Sequence, residues 1–148
     1  MPDKITYRGV RNVEGDVYRC FVHREDSVSS VDYELDPRND IYDHSPTGIA
    51  WGYGGSGPAQ LALGILADYF SPDGKKVRYT RRNEWDMDGR DDPNQKALKH
   101  YQEFKWAIVA LFPMDGEWEL PGEIIEKFVT GTLTDEERRE FLKGQVNA

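Results

Sequence analysis

The sequence predicts an α+β fold: an N-terminal antiparallel sheet of about four strands packed on a buried central helix, with two to three further helices. Three observations lead there. Strand-like alternation with short turns fills the chain up to Asp36. A helix-length segment after Pro58 is apolar almost all round. Helical spacing then dominates the second half, where apolar residues recur three and four apart.

The first two strands are expected over Ile5 to Val10 and Val17 to His23, joined by a turn around Gly15. In the second, Tyr18, Cys20 and Val22 share one face, and Val17, Arg19, Phe21 and His23 share the other. Val31, Tyr33 and Leu35 alternate with Asp32, Glu34 and Asp36, giving a third strand with one wet face. Pro37 to Gly48 lacks periodicity and reads as a loop. The helix from about Pro58 to Phe70 carries only Gln60 and Asp68 as strongly polar residues, so it belongs in the middle of the fold. Lys75 to Arg82 looks like a fourth strand with Val77 and Tyr79 inward. A second long helix is expected from about Pro93 to Phe112, on a stripe of Ala97, Tyr101, Phe104, Ile108 and Leu111, with Pro113 as its stop. A third follows Pro121, with Ile124, Ile125 and Phe128 inward and Gly131 at its end. The last opens at a Thr134–Glu137 capping box and ends near Gly144. With no repeat and no linker, residues 1–148 read as a single α+β domain.

Composition narrows the class. The chain is 38% hydrophobic and 12% aromatic, too much for a disordered acidic tail. A single cysteine, Cys20, rules out an intrachain disulfide and gives no reason to expect an oxidising compartment. No apolar segment approaches the roughly 20 residues that span a bilayer. The N-terminus leads straight into strand pattern without a signal-like segment. A cytoplasmic protein is expected, in the host cytoplasm if it is viral, with no membrane partner. Net charge is −8, from 27 acidic against 19 basic side chains, which disfavours non-specific nucleic acid binding. The same charge fits solubility or an acidic surface that meets a basic partner.

The strongest local signal is Trp51-Gly52-Tyr53-Gly54-Gly55-Ser56-Gly57-Pro58-Ala59-Gln60, four glycines in six positions running into the apolar helix. Gly52 to Gly57 fits G-x-G-x-x-G, but no buried parallel strand precedes it, and Arg81 and Arg82 stand where the fingerprint wants an acidic residue. The G-x-x-x-x-G-K-[ST] spacing also fits, but Pro58-Ala59 replace the lysine and hydroxyl residue, so an NTPase is rejected. Two readings remain. The glycines let Trp51 and Tyr53 tuck in while a helix starts tightly, or they expose helix N–H groups to an anionic, nucleotide-like ligand with an aromatic ring on its base.

Other chemistry is thin. Asp43-His44-Ser45 are sequence neighbours, which is no sign of a triad. His23 and His100 read as surface residues, and three scattered histidines give no zinc spacing. Glu84 to Asp92 half-matches a calcium loop but has Gln95 at its twelfth position. The basic run Lys75 to Arg82 reads as a charged edge strand, or as a face, with Arg78, Thr80 and Arg82 on it, that meets a phosphate or an acidic partner. No catalytic residue, no metal ligand and no cofactor is assigned. The expected ligand or partner surface is His44, Ser45, Trp51, Gly52, Tyr53, Gly54, Gly55, Ser56, Gly57, Gln60 and Arg82.

The run His44-Ser45-Pro46-Thr47-Gly48, followed by Trp51-Gly52-Tyr53-Gly54-Gly55-Ser56-Gly57-Pro58-Ala59-Gln60-Leu61-Ala62-Leu63, resembles a family of small uncharacterised proteins of phages, archaeal viruses, plasmids and their prokaryotic hosts. The likeness extends from Tyr7-Arg8-Gly9 through Tyr101-Gln102-Glu103-Phe104-Lys105 and covers the stretch from Met114 least. It implies an accessory gene of mobile elements, among which binding proteins and inhibitors of host defence are common. It carries no established activity. The resulting expectation is a non-enzymatic accessory protein that binds a small phosphorylated ligand or a host protein through the glycine turn. Two alternatives are a nucleotide-dependent enzyme using that turn, and an acidic inhibitor of a host defence protein that mimics nucleic acid.

Overall fold

A computed structural model describes residues 4–12, 14, 16–79 and 92–146. Strands β1 (Lys4–Asn12), β2 (Val17–Glu25) and β3 (Ser30–Glu34) form an antiparallel meander, and β4 (Trp118–Pro121) returns from late in the chain to the free side of β1. The sheet order is β3-β2-β1-β4. Because side chains alternate across a strand, register decides the core face. Tyr7 lies between Val22 and Leu120, and Gly9 between Cys20 and Trp118; all six are buried. On the outer face Arg19 pairs with Glu34 and His23 with Asp32.

Helix α1 (Ser56–Phe70) is buried continuously from Gly57 to Ala67, as its apolar sequence requires. Fully burying one leucine or isoleucine stabilises by about 1.5–3 kcal/mol, and Leu61, Leu63, Ile65 and Leu66 all reach that limit. Ser71 ends the helix by returning its N–H to the Asp68 carbonyl and its hydroxyl to the Ala67 carbonyl, just before Pro72. Helix α2 (Pro93–Ala107) packs along α1. Its N-cap Asp92 accepts from the Asn94 N–H at 2.9 Å, with Pro93 in the first turn. Helices α3 (Gly122–Val129) and α4 (Asp135–Val146) close the remaining side. Thr134 and Glu137 exchange capping bonds at 3.0 Å, as the sequence predicts.

Two expectations are corrected. Lys75 to Tyr79 is irregular, not a strand; residues 80–82 lie outside the described residues. The Val77 carbonyl is taken by the side chains of Arg38 (2.7 Å) and Asn94 (2.9 Å), and Lys76 by Asp36, so side chains rather than a neighbouring strand occupy this segment. The fourth strand is Trp118–Pro121, too short for alternation to reveal. The second long helix stops at Ala107, and Val109–Leu111 forms a 3-10 turn. There the Val109 carbonyl accepts the Gly52 N–H at 3.1 Å, a tertiary bond that overrides local helix propensity. Smaller differences are that β3 ends at Glu34, with Val31 half-exposed.

Candidate functional site

The glycine turn sits where the 37–55 loop enters α1, facing the C-terminal end of α2. Trp51 is completely buried, donates from its indole N–H to the Pro113 carbonyl at 3.0 Å, and meets Trp118 and Tyr18 edge-on. It is core rather than ligand surface. Gly52 has φ +87°, and a Cβ there would stand 2.6 Å from the Met114 Cα, so both conformation and space demand glycine. Gly54, itself exposed, lies against the edge of the Trp106 ring, leaving no room for a Cβ. The Tyr53 ring covers Gly55, and its hydroxyl lies close over Gly57. The close approach that four glycines imply is therefore made by the chain itself, by Met114 at Gly52 and by the Trp106 and Tyr53 side chains at the other three.

The helix N-terminus offers little beyond this. Pro58 has no N–H, and the Ala59 N–H is already bonded to the Gly55 carbonyl, which leaves Ser56 and Gly57 without an intrahelical acceptor. Ser56 is exposed but Tyr53 roofs the first turn.

His44, Ser45 and Gln60 do come together. The Gln60 amide oxygen accepts the backbone N–H groups of His44 (2.8 Å) and Ser45 (3.2 Å), and its amide nitrogen donates to the Pro37 carbonyl at 2.6 Å. This fully buried side chain fixes the loop to α1. The His44 ring stacks on Tyr42 at 4.2 Å, and its Nε2 lies 2.6 Å from the Tyr101 hydroxyl. Burial, and after it the charge of Lys105, hold His44 below the usual histidine range, against the opposing pull of Asp43. A neutral ring accepts the Tyr101 proton at Nε2. Arg82 lies outside the described residues, as does the Glu84–Asp91 stretch.

What the turn presents outward is aromatic. Trp106 is 60% exposed on the last turn of α2, and Tyr53 (43%) and Met114 (46%) flank the same glycines. Residues 7–87, just over half the chain, match the DUF6166 family of unknown function. The chain belongs to that family. The match begins at Tyr7, where the resemblance begins, and ends before Tyr101–Lys105. No curated protein and no solved structure matches this DUF6166 chain.

Within the matched region of this DUF6166 protein lies a cluster that motif reading missed. Asp68, near the end of α1, accepts from the Tyr7 hydroxyl (2.6 Å), the Tyr33 hydroxyl (2.6 Å) and the Arg24 guanidinium (2.9 Å), so one carboxylate ties β1, β2 and β3 to the helix. Arg24 also reaches the Asp68 carbonyl and the Tyr33 hydroxyl. Burial and then the Asp68 charge push the Tyr7 hydroxyl well up; burial and the bond to Asp68 push Tyr33 up to about 12. The available signal was Asp68 itself, a charge on a helix otherwise apolar.

The sequence also did not indicate a cleft of about 760 Å³ at this end of α1, with Ile5, Tyr69, Phe70 and Pro121 as its apolar lining. On its polar rim the Tyr69 hydroxyl donates to Glu126 at 2.6 Å, Lys4 faces Glu25 at 3.7 Å, and Thr6 and Glu123 also line it. Among the described residues no group of three or more His, Cys, Asp or Glu side chains is placed to hold a metal ion.

Proposed function

We propose that this chain is a non-enzymatic binding protein whose partner is another protein, docked on the aromatic face beside the glycine turn. The observation that carries the reading is Trp106: its indole stays 60% exposed while Gly54 is kept bare to seat it. Exposed Tyr, Trp and Met side chains gathered at one place are the usual anchors of protein interfaces. Tyr53 and Met114 supply that company. A host-cell partner fits the accessory, mobile-element role that the resemblance implies.

The other readings find less support. A phosphorylated ligand on the α1 N-terminus meets Tyr53 lying over Gly55 and Gly57, and a dinucleotide enzyme would need close approach to glycines already abutted by Trp106, Tyr53 and Met114. Nucleic-acid mimicry asks for unpaired carboxylates on one face, whereas on the outer sheet face Glu34 and Asp32 are paired with Arg19 and His23.

A photo-cross-linking amino acid placed at position 106 tests the proposal in cells that carry the native gene. The control is position 28, where Val28 is 89% exposed far along the chain. The expected result is a discrete adduct from position 106 that position 28 does not give. Equal adducts from both positions, or none from 106, would contradict it.

A further inference from the structure

About 20 Å along α1 from the glycine turn, the cleft of about 760 Å³ opens between the start of β1, the last turn of α1 and the step from β4 into α3. Its size falls in the range of about 300–1,000 Å³ typical of small-molecule sites, which pair apolar walls with a few placed polar groups. The walls here are Ile5, Tyr69, Phe70 and Pro121, and the Tyr69 and Phe70 rings meet edge-on at 5.5 Å. Gly122 lets α3 approach the other two elements: a Cβ there would stand 3.1 Å from the Ile5 carbonyl oxygen and 3.4 Å from the Tyr69 ring.

Three charged side chains line the cleft, Lys4, Glu123 and Glu126. Lys4 faces Glu25, which is not part of the lining. Glu123 and Glu126 stand three apart, on one side of α3. Among the described residues neither has a cationic partner within ion-pair distance; Lys127 of the same helix is bonded to Glu137. The Tyr69 hydroxyl holds Glu126 in place at 2.6 Å. Both carboxylates reach water and need no partner to be stable, so they decide instead which charge the cleft admits. Apolar walls focus the field of like charges in a cleft, and this field attracts cations. The chain's net charge of −8 acts in the same direction.

We propose that this cleft binds a small arylalkyl amine, its ammonium between Glu123 and Glu126 and its ring against Tyr69 and Phe70. Carboxylates beside an aromatic ring suit an ammonium, because charge and ring quadrupole both attract it. Aromatic walls suit an aromatic body. A carboxylic acid or a phosphate would be repelled by the same two residues. A bare metal ion would find no third ligand, since no group of three or more His, Cys, Asp or Glu side chains is placed to hold one among the described residues. The site is separate from the aromatic face beside the glycine turn and does not depend on a protein docking there.

The test is a titration with phenethylamine at pH 7 and constant ionic strength, with the Gly122 and Glu123 backbone amides followed by NMR. Two parallel arms divide the ligand: 2-phenylethanol keeps the ring without the charge, and n-butylamine carries the ammonium of a lysine side chain without the ring. Expected is a saturable shift with phenethylamine and clearly weaker binding of both other compounds. Glu123→Gln should weaken phenethylamine about threefold, and Glu123→Gln with Glu126→Gln about tenfold. Glu123 has no bonded partner to lose, and glutamine at 126 still offers Tyr69 an acceptor, so both variants should fold. No saturable shift with phenethylamine would overturn the proposal, as would an unchanged affinity in the double variant. Equal binding of 2-phenylethanol would make the cleft merely apolar, and equal binding of n-butylamine would make it a seat for a protein's lysine; either result overturns the proposal. Cross-linking at position 106 reads the other end of α1, so the two proposals stand or fall separately.

Discussion

The two ends of α1 carry its two strongly polar residues, Gln60 and Asp68, and they are used differently. At the N-terminal end Gln60 holds a loop, and the glycines before it make room for the rings of Trp106 and Tyr53, both of which stay exposed. At the C-terminal end Asp68 gathers two tyrosines and an arginine from three strands into a half-buried network. The end with the conspicuous motif faces outward, and the end with a lone aspartate fastens the sheet. Glycine density reports how closely something approaches a backbone, not whether that something is a ligand.

The sharpest way to break this contrast is Asp68→Asn. It keeps the shape but leaves the buried Arg24 charge uncompensated, at a cost on the order of 3–5 kcal/mol by urea denaturation. A loss below about 1 kcal/mol would mean that the network is not the anchor. Gln60→Leu should come next, at roughly 2–3 kcal/mol, because it strands the His44 and Ser45 N–H groups and the Pro37 carbonyl. Amide exchange should show the 37–45 loop opening before the sheet does. Gly52→Ala should cost about 1–3 kcal/mol through its clash with Met114. Gly131→Ala, also at positive φ but facing open space, should cost less, which separates crowding from conformation.

The smallest effect is a pH dependence at the outward end. The folded His44 pKa lies below its ordinary value near 6.5, so the unfolded chain takes up the proton first. The His44 contribution is therefore present above about pH 6.5 and is lost as pH falls through that value toward the folded pKa. Protection of the Ser45 amide, its exchange compared with the intrinsic rate at each pH, should fall between neutral and mildly acidic pH, and His44→Gln should remove that dependence.

Much of the fold was legible because its causes are local. Alternation around Cys20 and Val22, the all-round apolarity of α1 and the Thr134–Glu137 box each act within a few residues. The misplaced fourth strand and the shortened α2 have causes that are not local: Arg38 and Asn94 capture the Val77 carbonyl, and Gly52 captures that of Val109. The site was legible by position and less so by role. Gln60, Ser45 and His44 meet in bonds that fix the loop to α1, but Trp51 is core, and Trp106 comes from a helix whose spacing gives no sign of which exposed residues matter.

Trp106 is displayed rather than needed for folding, whereas Trp51 beside the same turn is structural. Urea denaturation of Trp51→Ala and Trp106→Ala tests this directly. Trp51→Ala should lose on the order of 3–5 kcal/mol, as a fully buried indole with a bonded N–H requires. Trp106→Ala should lose about 1 kcal/mol or less, the scale of its cation–π contact. Equal, large losses in the two variants would make the exposed indole a strut of the fold and would contradict the claim.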